Sequence, residues 1–473
     1  MCEALVVMVF RALWNAGSGL VYRLANKRSM GKGVLGVDYP SVWKGRTGFL
    51  DCDVNLHLNN ASYLYSMELA RWHFTGVNGI LWQAIKNRRM VVVGSQAVRY
   101  RHAIPPFHAY EIKTQVVYWD DDWIYLLHRF QDPTSGKQYA EGVVRGVVMK
   151  GRRRVSPNKI LAEVSDGEMI EAPKEVPDVV KSFLDWDSAC TVSMREAGKE
   201  AEMVLEANPS PPAPEKLWDR AWQEMKKSMN LPTSCCVATM VGRIMWNVGA
   251  GLLHRVLNRA HIRPGMGIAY PSVWRARPGF LDCDINLHLN NASYLSNMEL
   301  ARWHFCAVTG ILGNVARHRR ALLVASQAVR FRYPIPPFRP YEIQSQLVFS
   351  DSEWMYFLHK FQCPTTGKLY AEGLCRATFR QDGENVSAAK LYAEVFGMDA
   401  DALHIDLPKE MPDVVRQLLE WESSPPLVLE TSQEAAQRQK ETIMPSATVL
   451  RSSNSEPVKK LLARATSSWN SPV

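Results

Sequence analysis

The chain has 473 residues, 47% hydrophobic and 22% charged, an ordinary composition for folded protein with room for two or three domains. Its nine cysteines show no C-x-x-C pair or Cys/His cluster at zinc spacing. Neither a metal site nor a secreted disulfide framework is therefore expected, and the odd thiols suit a reducing, cytosol-facing location. The formal net charge of +9 favours anionic partners without choosing among them.

In chain order, residues 1–34 open with an apolar, amphipathic stretch that Arg11, Asn15 and Arg23 interrupt. A membrane span needs about 20 largely apolar residues, which this stretch lacks, and no cleavage signature follows it. Residues 35–186 hold the first folded unit. Tyr39–Leu50 can supply a strand, and Asn60–Phe74 has helical periodicity, with Tyr63, Met67, Ala70 and Phe74 on one face. Asn59 or Asn60 suits the N-cap. Met90–His102, Tyr110–Trp119, Trp123–Gln131 and Lys137–Lys150 then read as strands rich in Val, Ile, Tyr and Trp. Pro105-Pro106, Asp120–Asp122 and Asp132–Gly136 supply the turns between them. One helix followed by a meander of long strands is an α+β arrangement in which antiparallel sheet wraps the helix.

The chain then repeats itself. Phe280–Phe305 differs from Phe49–Phe74 only at Val54/Ile285, Tyr65/Ser296 and Ser66/Asn297, a shift of 231 residues. Residues 187–233 are expected to be a Pro-rich linker with a short helix near Lys216–Met225, and 234–265 a second apolar segment. The second unit spans 266–421, and 422–473 is expected to be a disordered tail. Because the apolar segment recurs mid-chain, it belongs to a duplicated unit of roughly 180 residues rather than to a cleaved signal.

The chemistry lies in Asp53-Val-Asn55-Leu-His57-Leu-Asn59-Asn60-Ala-Ser-Tyr63 and its copy Asp284-Ile-Asn286-Leu-His288-Leu-Asn290-Asn291-Ala-Ser-Tyr294. A carboxylate, an amide and an imidazole alternate just ahead of a helix start. Thioester hydrolysis can use all of them, since a carboxylate activates water or attacks the acyl carbon while amides at a helix N-terminus bind the oxyanion. The same Asp and Asn residues could simply tighten the turn into the helix, and His57 could be a packed histidine. Glu68 and Arg71 read as an i, i+3 ion pair. Gly31–Gly36 matches G-x-G-x-x-G but has no strand–helix context, so no dinucleotide site is expected.

The string resembles the active-site motif of hotdog acyl thioesterases of the 4-hydroxybenzoyl-CoA thioesterase superfamily. Over each unit the chain is similar to the eukaryotic thioesterase superfamily member six group. The resemblance implies two tandem hotdog domains forming an intramolecular double hotdog, with further homo-oligomerisation open. It also implies hydrolysis of a fatty acyl-CoA or acyl-carrier-protein thioester without a cofactor. Asp53 and Asp284 would be base or nucleophile, Asn55 and Asn286 would orient them, and His57 and His288 would assist proton transfer. Amides around Ala61–Tyr63 and Ala292–Tyr294 would polarise the carbonyl, with Asn59, Asn60, Asn290 and Asn291 lining the site. Arg99, Arg101, Arg330 and Arg332, near the basic runs Lys86–Arg89 and Arg317–Arg320, could hold CoA phosphates. Nucleic acid is not expected as a partner, whereas peripheral contact of the apolar segments with an internal membrane is. Two alternatives remain: a non-catalytic acyl-binding or scaffold protein, and a hotdog hydratase, whose histidine falls one residue later.

Overall fold

The computed structural model describes residues 2–26, 40–53, 55–164, 172–207, 236–258, 272–279, 282–284, 286–397, 408 and 410–427. The first copy comprises helix α1 (Cys2–Asn26), strand β1 (Ser41–Arg46), α2 (Asn60–Val77), α3 (Ile80–Lys86), β2 (Met90–Tyr100), β3 (Ala109–Trp119), β4 (Ile124–Gln131), β5 (Gln138–Lys150), β6 (Arg153–Val155), α4 (Pro157–Val164) and α5 (Asp178–Ala207). The second comprises α6 (Cys236–Leu257), β7 (Ser272–Ala276), α7 (Asn291–Thr309), α8 (Ile311–Arg317), β8 (Ala321–Phe331), β9 (Tyr341–Ser350), β10 (Met355–Gln362), β11 (Leu369–Gln381), β12 (Glu384–Val386), α9 (Ala388–Phe396) and α10 (Asp413–Ser423).

In each copy the long antiparallel strands curl around one helix, α2 or α7, giving two hotdog modules in tandem. The strand order is β1-β3-β4-β5-β2-β8-β11-β10-β9-β7, so β2 and β8 close the two modules into one sheet. At that seam Ala97 lies opposite Ala328, Ser95 opposite Arg330, and Arg99 opposite Ser326. These are equivalent positions of the two copies, so a pseudo-twofold axis passes through the alanine pair. Pairing the two strands satisfies edges that each module would otherwise expose.

The helix–sheet interior is densely filled. Met67, Ala70 and Phe74 on α2 are at most 2% exposed and meet Phe130, Val144 and Tyr110 of the sheet. A Cβ at Gly142 would lie 2.6 Å from the Met67 methyl, and Gly373 stands in the same relation to Met298. Glycine is therefore needed for the methionine to lie flat on the strand.

Helix α1 crosses α2 at Gly19, where a side chain would meet the His73 carbonyl oxygen at 2.3 Å. Trp43 Nε1 donates to Asn15 Oδ1 at 2.6 Å, and Arg23 caps α2 through the Val77 carbonyl at 3.0 Å. The apolar segment is thus packed on its own module. Its outer face stays exposed at Phe10, Leu13, Trp14 and Leu24, as does that of α6 at Met245, Val256 and Leu257. No described helix is long and apolar enough to cross a membrane.

Two boundaries differ from expectation. The linker predicted from residue 187 starts inside α5, because Phe183, Trp186, Cys190 and Met194 continue one buried helical stripe onto the outer face of the sheet. The remainder of that linker, the predicted helix near Lys216–Met225, the Gly31–Gly36 run and most of the predicted tail lie outside the described residues. Helix α2 runs to Val77 rather than Phe74.

Candidate active site

The Asp53 turn is held by its own backbone. The Asp53 amide donates to the His57 carbonyl at 2.8 Å, and Leu56 takes a left-handed φ of 57°. Asp53 Oδ1 accepts from the amides of Asn55 (2.9 Å) and His57 (3.2 Å), as Asx residues do in tight turns. Among the described residues, Asp53 Oδ2 has no hydrogen-bond partner. One carboxylate oxygen thus pins the turn, and the other is left out of it.

The second copy repeats this geometry at Asp284, Asn286, Leu287 and His288. There Asn286 Nδ2 also reaches Asp284 Oδ2 at 3.4 Å. Burial raises the Asp284 pKa, partly offset by the amides of His288 and Asn286 and the nearby His288 ring. The imidazoles of His57 and His288 are half-buried beside their turns.

The turn delivers the chain to the start of α2. Asn59, 5% exposed, is the N-cap, its Oδ1 accepting from the Ala61 amide at 2.8 Å. The Ser62 and Tyr63 amides bond the Asn59 carbonyl at 2.9 and 3.3 Å. This corrects the expectation for Ala61–Tyr63: those amides are already engaged, and so are Ala292 and Tyr294 in the second copy. The Asn60 and Asn291 amides, one residue earlier, have no acceptor among the described residues. They sit at the positive end of the helix dipole.

Sequence reasoning missed the next layer. Asn59 Nδ2 donates at 2.8 Å to Glu299 Oε2, on the central helix of the other module, and Asn290 Nδ2 donates at 2.7 Å to Glu68 Oε2. Glu68 was expected to pair with Arg71; Arg71 does act on its charge, but the hydrogen bond that its carboxylate takes from Asn290 crosses the module boundary. Burial raises the pKa of both glutamates, and the arginine three residues on lowers it. The charge of Asp53 raises Glu299 further and that of Asp284 raises Glu68, so each loop carboxylate acts electrostatically on the other module's helix carboxylate. Only the identical Glu-Leu-Ala-Arg strings hinted at this.

Other expected residues are placed differently. Tyr63 and Tyr294 are 3% and 2% exposed and pack in the core against Tyr100 and Phe130, or Phe331 and Phe361, so they are not open to substrate. Arg99 is buried, paired with Glu141 at 2.5 Å, and bonds the carbonyls of Glu422 and Ser424 at the end of α10. Arg330 is tied to Asp187 on α5. These two belong to structure rather than to a phosphate site, whereas Arg101 and Arg332 remain exposed. In the basic runs, Arg89 pairs with Glu163 and Arg320 with Glu394.

Two copies of a hotdog module, each with an aspartate turn feeding the central helix, define a thioesterase-type scaffold. The chain belongs to the Thioesterase-like superfamily, matched over residues 47–184 and again over 278–419. It is similar to a Drosophila melanogaster protein named THEM6, 36% identical over 137 residues, covering 28% of this chain and 67% of that one. A Danio rerio protein of the same name is 30% identical over 146 residues, 31% of this chain and 67% of the relative. Among solved structures, a 12:0-ACP thioesterase from Umbellularia californica aligns at a TM-score of 0.42 with 12% identity, over 72% of this chain and 94% of that one.

Proposed function

We propose that the chain hydrolyses acyl-CoA thioesters, releasing the acid and CoA. The observation that supports this most is the Asp53 carboxylate, pinned through Oδ1 and, among the described residues, with Oδ2 unpartnered, beside a helix start whose Asn60 amide is likewise unclaimed. In this reading the thioester carbonyl accepts from the Asn60 amide at the helix N-terminus. Asp53 Oδ2 then removes a proton from the attacking water or attacks the acyl carbon itself, and His57 serves proton transfer at the leaving group. Asp284, Asn291 and His288 form the second centre. Exposed Arg101 and Arg332 stand ready for CoA phosphates.

A thiol reagent and a series of acyl-CoAs test this. Turnover by the wild type should fall about 10²-fold or more in Asp53→Ala/Asp284→Ala, with circular dichroism unchanged. The filled interior around Met67 and Gly142 favours a second reading, a scaffold without turnover. Absence of thiol release at every chain length would establish it.

The exposed apolar faces of α1 and α6 support peripheral attachment to a membrane. Trp14→Ser/Val256→Ser should weaken co-flotation with phospholipid vesicles while leaving thermal stability within about 0.5 kcal/mol. Equal flotation of both proteins would remove this assignment.

A further inference from the structure

The two centres are linked by a pair of bonds that no single module can make. Asn59 caps the helix of the first module, but its Nδ2 is held by Glu299 of the second; Asn290 and Glu68 repeat the arrangement with roles exchanged. A side-chain amide has nearly the same shape in either orientation. What fixes it is the chemistry of its neighbours. A carboxylate accepts only, so Glu299 forces Nδ2 outward and leaves Oδ1 to take the Ala61 amide. With Ala61 occupied, the Asn60 amide is the first-turn donor left for a ligand.

We propose that the hydrolytic centres are crossed, each taking its positioning carboxylate from the other module: Glu299 serves the Asp53 centre and Glu68 serves the Asp284 centre. This rests on the hydrolase reading above and adds which residues act together. Glu299 and Glu68 act through Asn59 and Asn290, holding the caps so that the unclaimed amides and the loop aspartates face one bound carbonyl. Burial raises the pKa of both glutamates and Arg302 and Arg71 partly offset it, while the donation from each cap amide makes each glutamate oxygen the acceptor. A neutral glutamine can donate as well as accept, so only the Ala61 or Ala292 amide then fixes the orientation of the cap, and the charge that anchors its Nδ2 is lost.

Combining variants in the full chain tests this. In an Asp53→Ala background only the Asp284 centre can turn over. Adding Glu68→Gln should then lower kcat about tenfold more, whereas adding Glu299→Gln should lower it far less, since the centre it serves is already silent. In an Asp284→Ala background the pattern should reverse. Glu68→Asp, which keeps the charge, should recover part of the loss, with KM and melting temperature little altered throughout. Equal losses from the two glutamines in one background, tracking a lower melting temperature, would make the glutamates structural and overturn the proposal. The opposite pattern, with Glu68→Gln harmless beside Asp53→Ala, would assign each glutamate to its own module's aspartate. A wild type that releases no thiol would instead remove the hydrolase reading underneath, an outcome separate from either pattern.

Discussion

The two modules match at one turn and diverge at another. Around Asp53 and Asp284 the same amides bond Oδ1 at the same distances, with Asn286 Nδ2 adding a bond to Oδ2 in the second copy. In the β4–β5 hairpin, Asp132 accepts from the Thr134 and Ser135 amides and bonds the His108 ring at 2.9 Å. At the equivalent β10–β11 hairpin the residue is Cys363, with Sγ 3.2 Å from the Thr365 hydroxyl. The backbone closes identically, the Asp132 amide reaching Lys137 and the Cys363 amide reaching Lys368, both at 2.9 Å. Hydrogen bonds from Thr134, Ser135 and His108 hold the Asp132 carboxyl well below the usual range. Burial pushes the Cys363 thiol up, but hydrogen bonds from Thr365 and Thr366 outweigh it and bring the pKa to about 6. A turn that only needs an anionic acceptor takes either group. The hydrolytic centre proposed above, which needs an oxygen base, does not.

The largest effect should come from erasing that distinction. Asp53→Cys/Asp284→Cys should lose thiol release by about 10²-fold, whereas Cys363→Asp should leave turnover unchanged.

Next in size is a contrast at Glu141 and Glu372, equivalent positions on β5 and β11. Glu141 binds Arg99 at 2.5 Å and Arg129 at 3.0 Å, whereas Glu372 meets the neutral Ser193 and Cys190 of α5. Glu141→Gln strands buried arginine charge and should cost about 3–5 kcal/mol in urea unfolding. Glu372→Gln, where burial already raises the acid's pKa, should cost under about 1 kcal/mol. Equal costs would break the asymmetry.

The smallest effect concerns acid stability. Hydrogen bonds from Arg320 hold Glu394 at a pKa of about 2. Because this folded pKa lies below the unfolded one, the stabilisation is complete above pH of about 4.5 and is lost as pH falls towards about 2. Arg320→Met should flatten that part of the stability profile measured by thermal melts.

The repeat, both central helices, the meander and the aspartate turns were legible in the sequence because each depends on local spacing or self-similarity. The partners of Glu68 and Glu299 were not, since Asn290 and Asn59 lie 222 and 240 residues away. Arg99 and Arg330 read as surface cations because the strand pattern gives no sign that α10 and α5 cover them. Tyr63 lay on the helix face counted as apolar, and that core position, rather than its place in the motif, decided its environment. For α5, the buried stripe carried on past the end of the duplicated sequence, where the expected unit had been closed.

The seam between β2 and β8 also shapes how the chain is made. Strand β2 ends at Tyr100, and its neighbour β8 does not begin until Ala321. At roughly 5–20 residues per second, a ribosome leaves that edge without its mate for about 10–50 s. Through that interval the nascent first half carries a bare row of amides and carbonyls able to pair with the same segment of another nascent chain. Assembly on crowded polysomes therefore favours prompt shielding of β2, and slower translation of the second half should raise the share of strand-exchanged aggregates.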